Sequence, residues 1–253
     1  EVLSTKDRAE VVGMCDQYVK YGAFPELVDI RNKREYLNSI YQTIYLGDII
    51  TRNKITNDFA VRLILKKMAE SVTKPLSFNR LSNILKSAGA VLGKQTVINY
   101  VGYMMDSYML FTLQNYAAKL VEKETSPKYY FMDTGLLGLM LMDCSSAQLE
   151  NLVAIELIRR YGRENVFYFE KNVEIDFYVP EEKLAIQVSL QVLDQIDTRE
   201  REIGAFVKLK NFIGDATCLL ITNSEEEELD YEGVHVSVVP VWKWLLQNRK
   251  QDI

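Results

Sequence analysis

Two neighbouring strand-like segments decide the fold of this chain: Glu174-Ile175-Asp176-Phe177-Tyr178-Val179 and Leu184-Ala185-Ile186-Gln187-Val188-Ser189-Leu190. Side chains alternate along a strand, so the odd-numbered apolar residues of the first segment point one way and Asp176 points the other. In the second segment the even-numbered apolar residues share one side, and Gln187 and Ser189 face the opposite side. The pattern predicts two strands that each present polar side chains on one face.

A helical pattern over residues 147–161 precedes these strands. Its apolar stripe contains Leu149, Leu152 and Leu157, and Glu156 falls on that stripe. A carboxylate directed at a core is costly unless it is paired or binds a cation. A helical Glu156 and a strand Asp176 that converge beside a neighbouring strand would suit a hard cation such as Mg²⁺.

The rest of the second half alternates between strand and helix patterns. Strands are expected at 166–170, 217–222 and 234–239, with a long charged helix over 194–212 and a short terminal helix. The acidic run 225–228 reads as a solvated loop. This order predicts a mixed α/β domain that begins near residue 143.

The first half is dominated by helical patterns. Helices are predicted over 6–20, 33–50, 56–71, 77–87 and 94–108, followed by strands over 110–116 and 128–132 and a short helix over 133–141. The apolar stripe of the helix over 94–108 runs from Val97 to Tyr108. A polar hairpin is expected around 119–126. Three short helices and a two-stranded hairpin follow the order of a winged helix, in which the third helix enters a DNA groove. The predicted fold class is therefore α+β, with a helical, winged-helix part first.

Charge is distributed unevenly along the chain. The net charge is −5, yet the segment 51–100 carries nine positive and two negative residues. Such asymmetry is typical of a nucleic-acid footprint, although a solvated helical face would look the same. The residues expected to contact nucleic acid are Arg80, Lys86, Lys94, Gln95, Asn99 and Tyr103.

Several other classes of site are disfavoured. Three scattered cysteines and the single His235 make neither a disulfide framework nor a zinc site, and they fit a reducing cytoplasm. The segment from Gly89 to Lys94 has three residues between its glycines where a P-loop needs four, and it joins two helices. We expect a turn there, and no ATP site within these residues. No apolar run is long enough to span a membrane.

The chain resembles the C-terminal region of unclassified AAA-type ATPases of bacteria and archaea. The resemblance rests on these segments: Tyr21-Gly22-Ala23-Phe24-Pro25-Glu26, Tyr45-Leu46-Gly47-Asp48-Ile49-Ile50, Tyr130-Phe131-Met132-Asp133-Thr134-Gly135-Leu136, Glu150-Asn151, Glu156 and the two strands above. It implies a lid-like helical segment at 1–50 behind a missing ATPase core, a winged-helix domain at 51–142 and a last domain at 143–253. ATP would then bind only in the missing N-terminal domain.

The same resemblance implies a PD-(D/E)xK nuclease-like fold for the last domain. Glu156 would match the helical acid and Asp176 the first strand acid, which together would hold Mg²⁺ if the site is active. Gln187 and Ser189 fall where the second acid and the lysine belong. A neutral Gln removes one anionic ligand, and Ser cannot supply a cation to steady developing phosphate charge. Lys171, Arg199 or Arg201 would have to replace the lysine.

Three functions follow as hypotheses for this chain, which we expect to be cytoplasmic and to have no membrane partner. The first is a regulatory and targeting region of an ATPase that binds duplex DNA or a partner and carries a catalytically degraded nuclease-like domain. The second is a divalent-metal-dependent nuclease. The third is a protein-interaction module, which docks on a partner protein or on its own ATPase domain.

Overall fold

The computed structural model describes residues 4–142, 145–193 and 196–247. These residues fall into two compact units. The helical unit contains residues 18–114 and 119–151, and the sheet unit contains residues 1–17, 115–118 and 152–253. The predicted boundary near residue 143 lies outside the described residues. In this part of the chain the two units divide between Asn151 and Leu152, and the three-part organisation stays a prediction.

The secondary structure is of the mixed α+β class, as the sequence indicates. The helices are α1 Thr5–Tyr21, α2 Lys33–Gln42, α3 Asp58–Glu70, α4 Phe78–Ser87, α5 Lys94–Asp106, α6 Leu120–Thr125, α7 Thr134–Met140, α8 Ser145–Tyr161, α9 Ile196–Ile213 and α10 Val241–Gln247. The strands are β1 Leu110–Asn115, β2 Lys128–Phe131, β3 Phe167–Glu170, β4 Glu174–Val179, β5 Leu184–Val188, β6 Thr217–Thr222, β7 Glu227–Tyr231 and β8 Val234–Pro240.

The sheet unit is built on strands in the order β3-β4-β5-β6-β8-β7. Strands β3, β4 and β5 pair antiparallel, whereas β5–β6 and β6–β8 pair parallel and β7 closes the order antiparallel to β8. One face carries an apolar cluster that includes Ile175, Ala185, Leu220 and Val236. Helix α9 contributes Ile203, Phe206 and Leu209 to the same cluster, so its apolar side is buried. Burial of this area is the main stabilising term of the unit.

The helical unit contains the predicted succession of three helices and a strand pair. Helices α3, α4 and α5 contact one another in order, and β1 pairs antiparallel with β2 from Leu110↔Phe131 to Leu113↔Lys128. Ser77 caps α4 by accepting a hydrogen bond from the Arg80 N–H at 3.2 Å. The segment between α4 and α5 is the expected turn, where Gly89 has a φ of +84°. No helix among the described residues is long and apolar enough to cross a membrane.

Three local elements differ from the sequence prediction. The helix expected over 33–50 ends as α at Gln42 and continues as a π-helix over Thr43–Thr51. The expected hairpin around 119–126 contains the short helix α6. The acidic segment expected to be a loop contributes β7.

The apolar stripe predicted for α5 is also wrong at one end. Tyr108 is exposed, whereas Tyr100, which the stripe omits, is buried. Tyr108 lies past the end of α5 and has a φ of +54°. It therefore leaves the helical face that buries Val97, Val101 and Met104.

The helical unit depends on a buried carboxylate at the start of α7. Asp133 accepts hydrogen bonds from the backbone N–H of Gly135 at 2.8 Å, Leu136 at 3.2 Å and Ala23 at 2.7 Å. It therefore caps α7 and anchors the turn before residue 25. Burial raises the pKa of the Asp133 carboxyl group, and the three backbone donors oppose that shift. The turn can approach this closely because residue 22 is glycine: a Cβ there would collide with the Asp133 carboxylate.

We predict that Gly22→Ala destabilises the protein more than Gly89→Ala does. Both glycines have positive φ, +86° and +84°, so both changes carry backbone strain of about 1–2 kcal/mol. Only Gly22→Ala also collides with the Asp133 carboxylate, since a Cβ at Gly89 meets no atom within 4 Å. That collision should add roughly 1–3 kcal/mol. Urea unfolding measures both free energies, and equal losses in the two variants would contradict the close packing described here.

Candidate functional site

The polar end of the β4–β5 pair is where the sequence places a nuclease-like site. Backbone pairing extends from Val179↔Leu184 to Phe177↔Ile186. Beyond that pair, the buried Gln187 amide connects the strands: its Oε1 accepts from the Asp176 N–H at 2.9 Å and its Nε2 donates to the Glu174 carbonyl at 3.2 Å. One Gln side chain thus takes two backbone groups of the neighbouring strand as its partners.

The Asp176 carboxylate takes part in the same connection. Its Oδ2 accepts a hydrogen bond from the Val188 N–H at 2.9 Å. Asp176 is therefore oriented along its own sheet toward β5. The hydrogen bonds are therefore reciprocal: Gln187 of β5 binds the backbone of β4, and Asp176 of β4 binds the backbone of β5.

A β-bulge lies at this point, where the pairing of β3 with β4 shifts. The pairs Phe169↔Ile175 and Phe167↔Tyr178 enclose one residue of β3, Tyr168, but two residues of β4, Asp176 and Phe177. An extra residue of this kind commonly redirects a side chain at a sheet margin.

The bulge also changes which apolar residues of β4 share a face. Strict alternation would place Tyr178 with Asp176, opposite Ile175. In the structure, Ile175 and Tyr178 both belong to the apolar cluster under α9. The two residues can share the cluster because the extra residue of the bulge reverses the alternation between them.

Glu156 is buried on α8, as the apolar stripe predicts, and its charge is balanced on its own helix. Its carboxylate lies 2.8 Å from Arg160 Nε and 2.7 Å from Arg159 Nη2. The Arg160 guanidinium stacks 4.1 Å from the centre of the Trp244 ring and donates to the Trp244 carbonyl at 3.2 Å. Arg160 and Arg159 thus balance the charge of the buried acid from one turn further along α8, while Glu156 Oε2 receives no hydrogen bond from a described residue.

The remaining nuclease-like position, Ser189, follows the end of β5. Its hydroxyl donates to the Gln191 carbonyl at 3.2 Å, and its N–H donates to the Ile221 carbonyl at 3.0 Å. The structure therefore brings Asp176 and Gln187 into direct contact, while Glu156 and Ser189 have their own separate partners. In the described ranges, no group of three or more His, Cys, Asp or Glu side chains is arranged to hold a metal ion.

Of the three cations that could replace the missing lysine, Arg201 lies within electrostatic reach of this junction. Its pKa is raised first by the hydrogen bond to Glu202, and also by the charges of Asp176 and Glu174. Its Nη2 is 2.6 Å from Glu202 Oε1, and the side chain is largely exposed. Lys171 instead lies 5.4 Å from the centre of the Phe212 ring.

The candidate nucleic-acid residues lie on α4 and α5 of the helical unit. Arg80, Lys86, Lys94, Gln95 and Asn99 are exposed, and Tyr103 is half-buried. None of the three cations in this set forms a salt bridge within the part of the chain that the structure describes. By contrast, Arg62 and Lys67 of the same positive segment pair with Asp58 and Glu70. The exposed cations of this segment without a described salt bridge therefore include Arg80 and Lys86 on α4 and Lys94 at the start of α5, as well as Arg52, Lys54, Lys66 and Lys74.

A buried polar group that sequence reasoning did not single out joins β2 to the first part of α8. The Tyr130 hydroxyl donates to Glu150 Oε1 at 2.9 Å, and the buried Lys128 Nζ lies 3.8 Å from the same oxygen. Next to it, the Asn151 amide donates to the Phe131 carbonyl and accepts its N–H, each at 2.8 Å. The only sequence signal was the joint appearance of these segments in the family resemblance.

Comparison with known proteins places the chain in a family without an assigned function. Residues 14–147, just over half of the chain, match the domain of unknown function DUF8612, and the chain belongs to this family. It is 30% identical to the uncharacterized protein MJ1544 of Methanocaldococcus jannaschii over 96% of this chain and 58% of that protein. It is 27% identical to an uncharacterized protein of Haemophilus influenzae over 92% of this chain and 58% of that protein. No solved structure matches the chain.

The chain thus spans less than two thirds of the length of these two relatives. The match to the family covers most of the helical unit, including the Asp133 turn and the helices α4 and α5. It ends before the strands that carry Asp176 and Gln187. The family relationship therefore says more about the helical unit than about the nuclease-like positions.

We predict that Gln187→Ala lowers the free energy of unfolding by about 2–3 kcal/mol, since two hydrogen bonds at a buried position are lost. Ser189→Ala is the matched control in the same segment. It removes one exposed hydrogen bond and should change stability by less than about 0.5 kcal/mol. Chemical denaturation measures both changes, and a Gln187→Ala variant as stable as the Ser189→Ala variant would contradict the connecting role of the amide.

Gln187→Glu gives a pH-dependent version of the same test. Burial beside the Asp176 carboxylate should raise the pKa of the new carboxyl group above its unfolded value of about 4.3. The stability of the variant is then greatest below that value and is lost as pH rises through the folded pKa. We expect near-normal stability around pH 4 and a clear loss around pH 8. If Mg²⁺ or Mn²⁺ stabilises the unsubstituted protein as much as the variant, the junction is an open metal site and the structural interpretation is wrong.

Proposed function

We propose that this chain is a targeting region that binds duplex DNA through α4 and α5, and that its nuclease-like sheet unit is a structural scaffold without catalytic activity. One observation carries the proposal: the exposed cations Arg80, Lys86 and Lys94 have no salt-bridge partner within the described ranges. Cations that remain unpaired on adjacent helices are suited to phosphate contacts.

The arrangement of elements supports a winged-helix mode of binding. Helices α3, α4 and α5 followed by the β1–β2 pair have the order of a winged helix, with α5 as the helix that enters the major groove. Helix α6, between β1 and β2, would then lie in the wing, and it exposes Leu120 and Val121. Gly93 offers α5 no side-chain cap, so the first N–H groups of α5 can also meet a phosphate.

The scaffold role of the sheet unit is supported by how its nuclease-like residues are used. Asp176 and Gln187 bind backbone groups of neighbouring strands, and Glu156 binds two arginines. Metal-assisted phosphodiester cleavage needs carboxylates whose oxygens are directed at a cation. Each of these three side chains instead contacts a protein group.

The parent protein is proposed to be an AAA-type ATPase. The proposal rests on the resemblance of the turn at 21–26, the segment 45–50 and the segment 130–136 to such proteins. Both relatives extend well beyond the matched region, which covers 58% of each, so they have room for a further domain. In this view ATP binds outside the present sequence, and the chain directs the ATPase to DNA.

We predict that the chain binds labelled duplex DNA with an affinity that falls steeply as salt increases. Arg80→Glu and Lys94→Glu should each weaken binding about tenfold or more and reduce the slope of log K against log salt by roughly 1 per lost contact. Lys66→Glu, the same change at an exposed residue of α3, is the control. Fluorescence anisotropy measures all four proteins.

Three results of this titration would count against the proposal. Absence of binding at the lowest salt would remove the DNA role and favour protein docking. Binding that is indifferent to salt would do the same. An equally large effect of Lys66→Glu would show that net charge alone is responsible, and not a surface formed by α4 and α5.

We also predict no protein-dependent cleavage of supercoiled or single-stranded DNA in the presence of Mn²⁺. The physical reason is that the carboxylates of Glu156 and Asp176 are already engaged by protein groups. Gel electrophoresis over several hours is the measurement. Cleavage that disappears in Asp176→Ala would establish the nuclease alternative, whereas cleavage that persists in that variant would come from a contaminant.

A further inference from the structure

The exposed face of α5 carries two amide side chains and one cation. Val97, Tyr100, Val101 and Met104 are buried, which leaves Lys94, Gln95 and Asn99 on the outer side. Gln95 and Asn99 are four residues apart, so they lie on one face of the helix, one turn from each other. A helix that enters a major groove presents such a face to the base edges.

The two amides are linked to each other. Gln95 Nε2 donates a hydrogen bond to Asn99 Oδ1 at 3.0 Å. With that bond made, Gln95 keeps Oε1 as an acceptor and one hydrogen of Nε2 as a donor, and Asn99 keeps both hydrogens of Nδ2 as donors. The pair therefore offers both an acceptor and donors on an exposed helix surface.

Of the two purines, adenine presents the major-groove edge that matches this combination better. Adenine presents the N6 amino group as a donor and N7 as an acceptor in the major groove, whereas guanine presents two acceptors, O6 and N7. Gln95 Oε1 and Asn99 Nδ2 can bind N6 and N7 of adenine together. Against guanine, whose O6 and N7 are both acceptors, Gln95 Oε1 would find no donor on that base edge.

Lys94 has a different role on this face. It is the first residue of α5, beside the uncapped helix start, where a cation and free N–H groups favour a phosphate over a base. Lys94 thus supplies a phosphate contact at the helix start, with Gln95 next to it in sequence and Asn99 one turn beyond Gln95.

We propose that α5 reads adenine: the linked amides of Gln95 and Asn99 select an A·T pair in the major groove, while Lys94 fixes the helix on the backbone. This inference rests on the proposed DNA-binding function and adds the sequence preference of that same surface. Lys94, Gln95 and Asn99 are all exposed, and the two amides are joined by the Gln95–Asn99 hydrogen bond.

The first test is selection of duplexes from a pool with a randomised core by the whole chain, followed by sequencing. We expect at least one position with strong enrichment of adenine. The selected duplex is then made with 7-deazaadenine at that position, which removes the N7 acceptor and leaves the base pair intact. Affinity for the modified duplex should fall about tenfold.

The variants Asn99→Ala and Lys94→Ala separate the two roles. For Asn99→Ala, the natural and the 7-deazaadenine duplexes should bind within about twofold of each other, because the donor that meets N7 is gone. Lys94→Ala should weaken both duplexes alike and preserve their roughly tenfold ratio. Asn99 is exposed, so the folded protein should tolerate its loss.

The outcomes distinguish the inference from the function beneath it. Binding to duplex DNA without enrichment of adenine, or with no loss on 7-deazaadenine substitution, overturns the adenine preference and leaves DNA binding in place. A preference for the natural duplex that persists undiminished in Asn99→Ala also overturns it. No binding to any duplex overturns both.

Discussion

The sheet unit depends on a buried amide that completes a strand pair. Where β4 bulges away from regular pairing, Gln187 supplies a donor and an acceptor to the backbone of β4, and Asp176 returns an acceptor to β5. Backbone groups that lose their partner inside a protein are costly, so these side chains are held in place by the requirement to satisfy them. Gln187 and Asp176, which lie at positions predicted to be nuclease-like, therefore stabilise the sheet.

In the helical unit, other side chains likewise form hydrogen bonds to buried backbone groups that have no strand or helix partner. Asp133 satisfies three backbone N–H groups, and Asn151 satisfies both backbone groups of Phe131. In each case a short polar side chain substitutes for a missing strand or helix partner at a buried position. These contacts join segments far apart in sequence, which fixes the turn at 22–25 and strand β2 within the unit.

The sequence predicted most elements because their apolar residues follow the period of a helix or a strand. It could not predict β7, since only Leu229 of that strand is buried and its neighbours are acidic, a composition typical of an edge strand. Nor could it place Tyr178, because a bulge is a property of two paired strands and leaves no mark in one of them. The sequence could not predict the π-helix at 43–51 either, because its apolar residues would also fit an ordinary α-helix.

The candidate sites show a similar division. Burial of Glu156 followed from the stripe on α8, and the arginines three and four residues later could have been recognised as its partners. The role of Gln187 depends on strand register, which the sequence does not contain. Exposure of Lys94, Gln95 and Asn99 followed from helical periodicity, while the hydrogen bond between the two amides depends on side-chain conformations that periodicity does not specify. Local patterns were therefore sufficient for surfaces, and long-range pairing was needed for the buried polar groups.

Amide hydrogen exchange of the chain with and without duplex DNA, in the presence of Mn²⁺, distinguishes binding at α4 and α5 from binding at the Asp176–Gln187 junction. We expect DNA to slow exchange within residues 78–106 and to leave the segments around Glu156 and 174–189 unchanged. Slower exchange around Asp176 and Gln187, with α4 and α5 unaffected, would contradict it and would place the ligand at the nuclease-like junction.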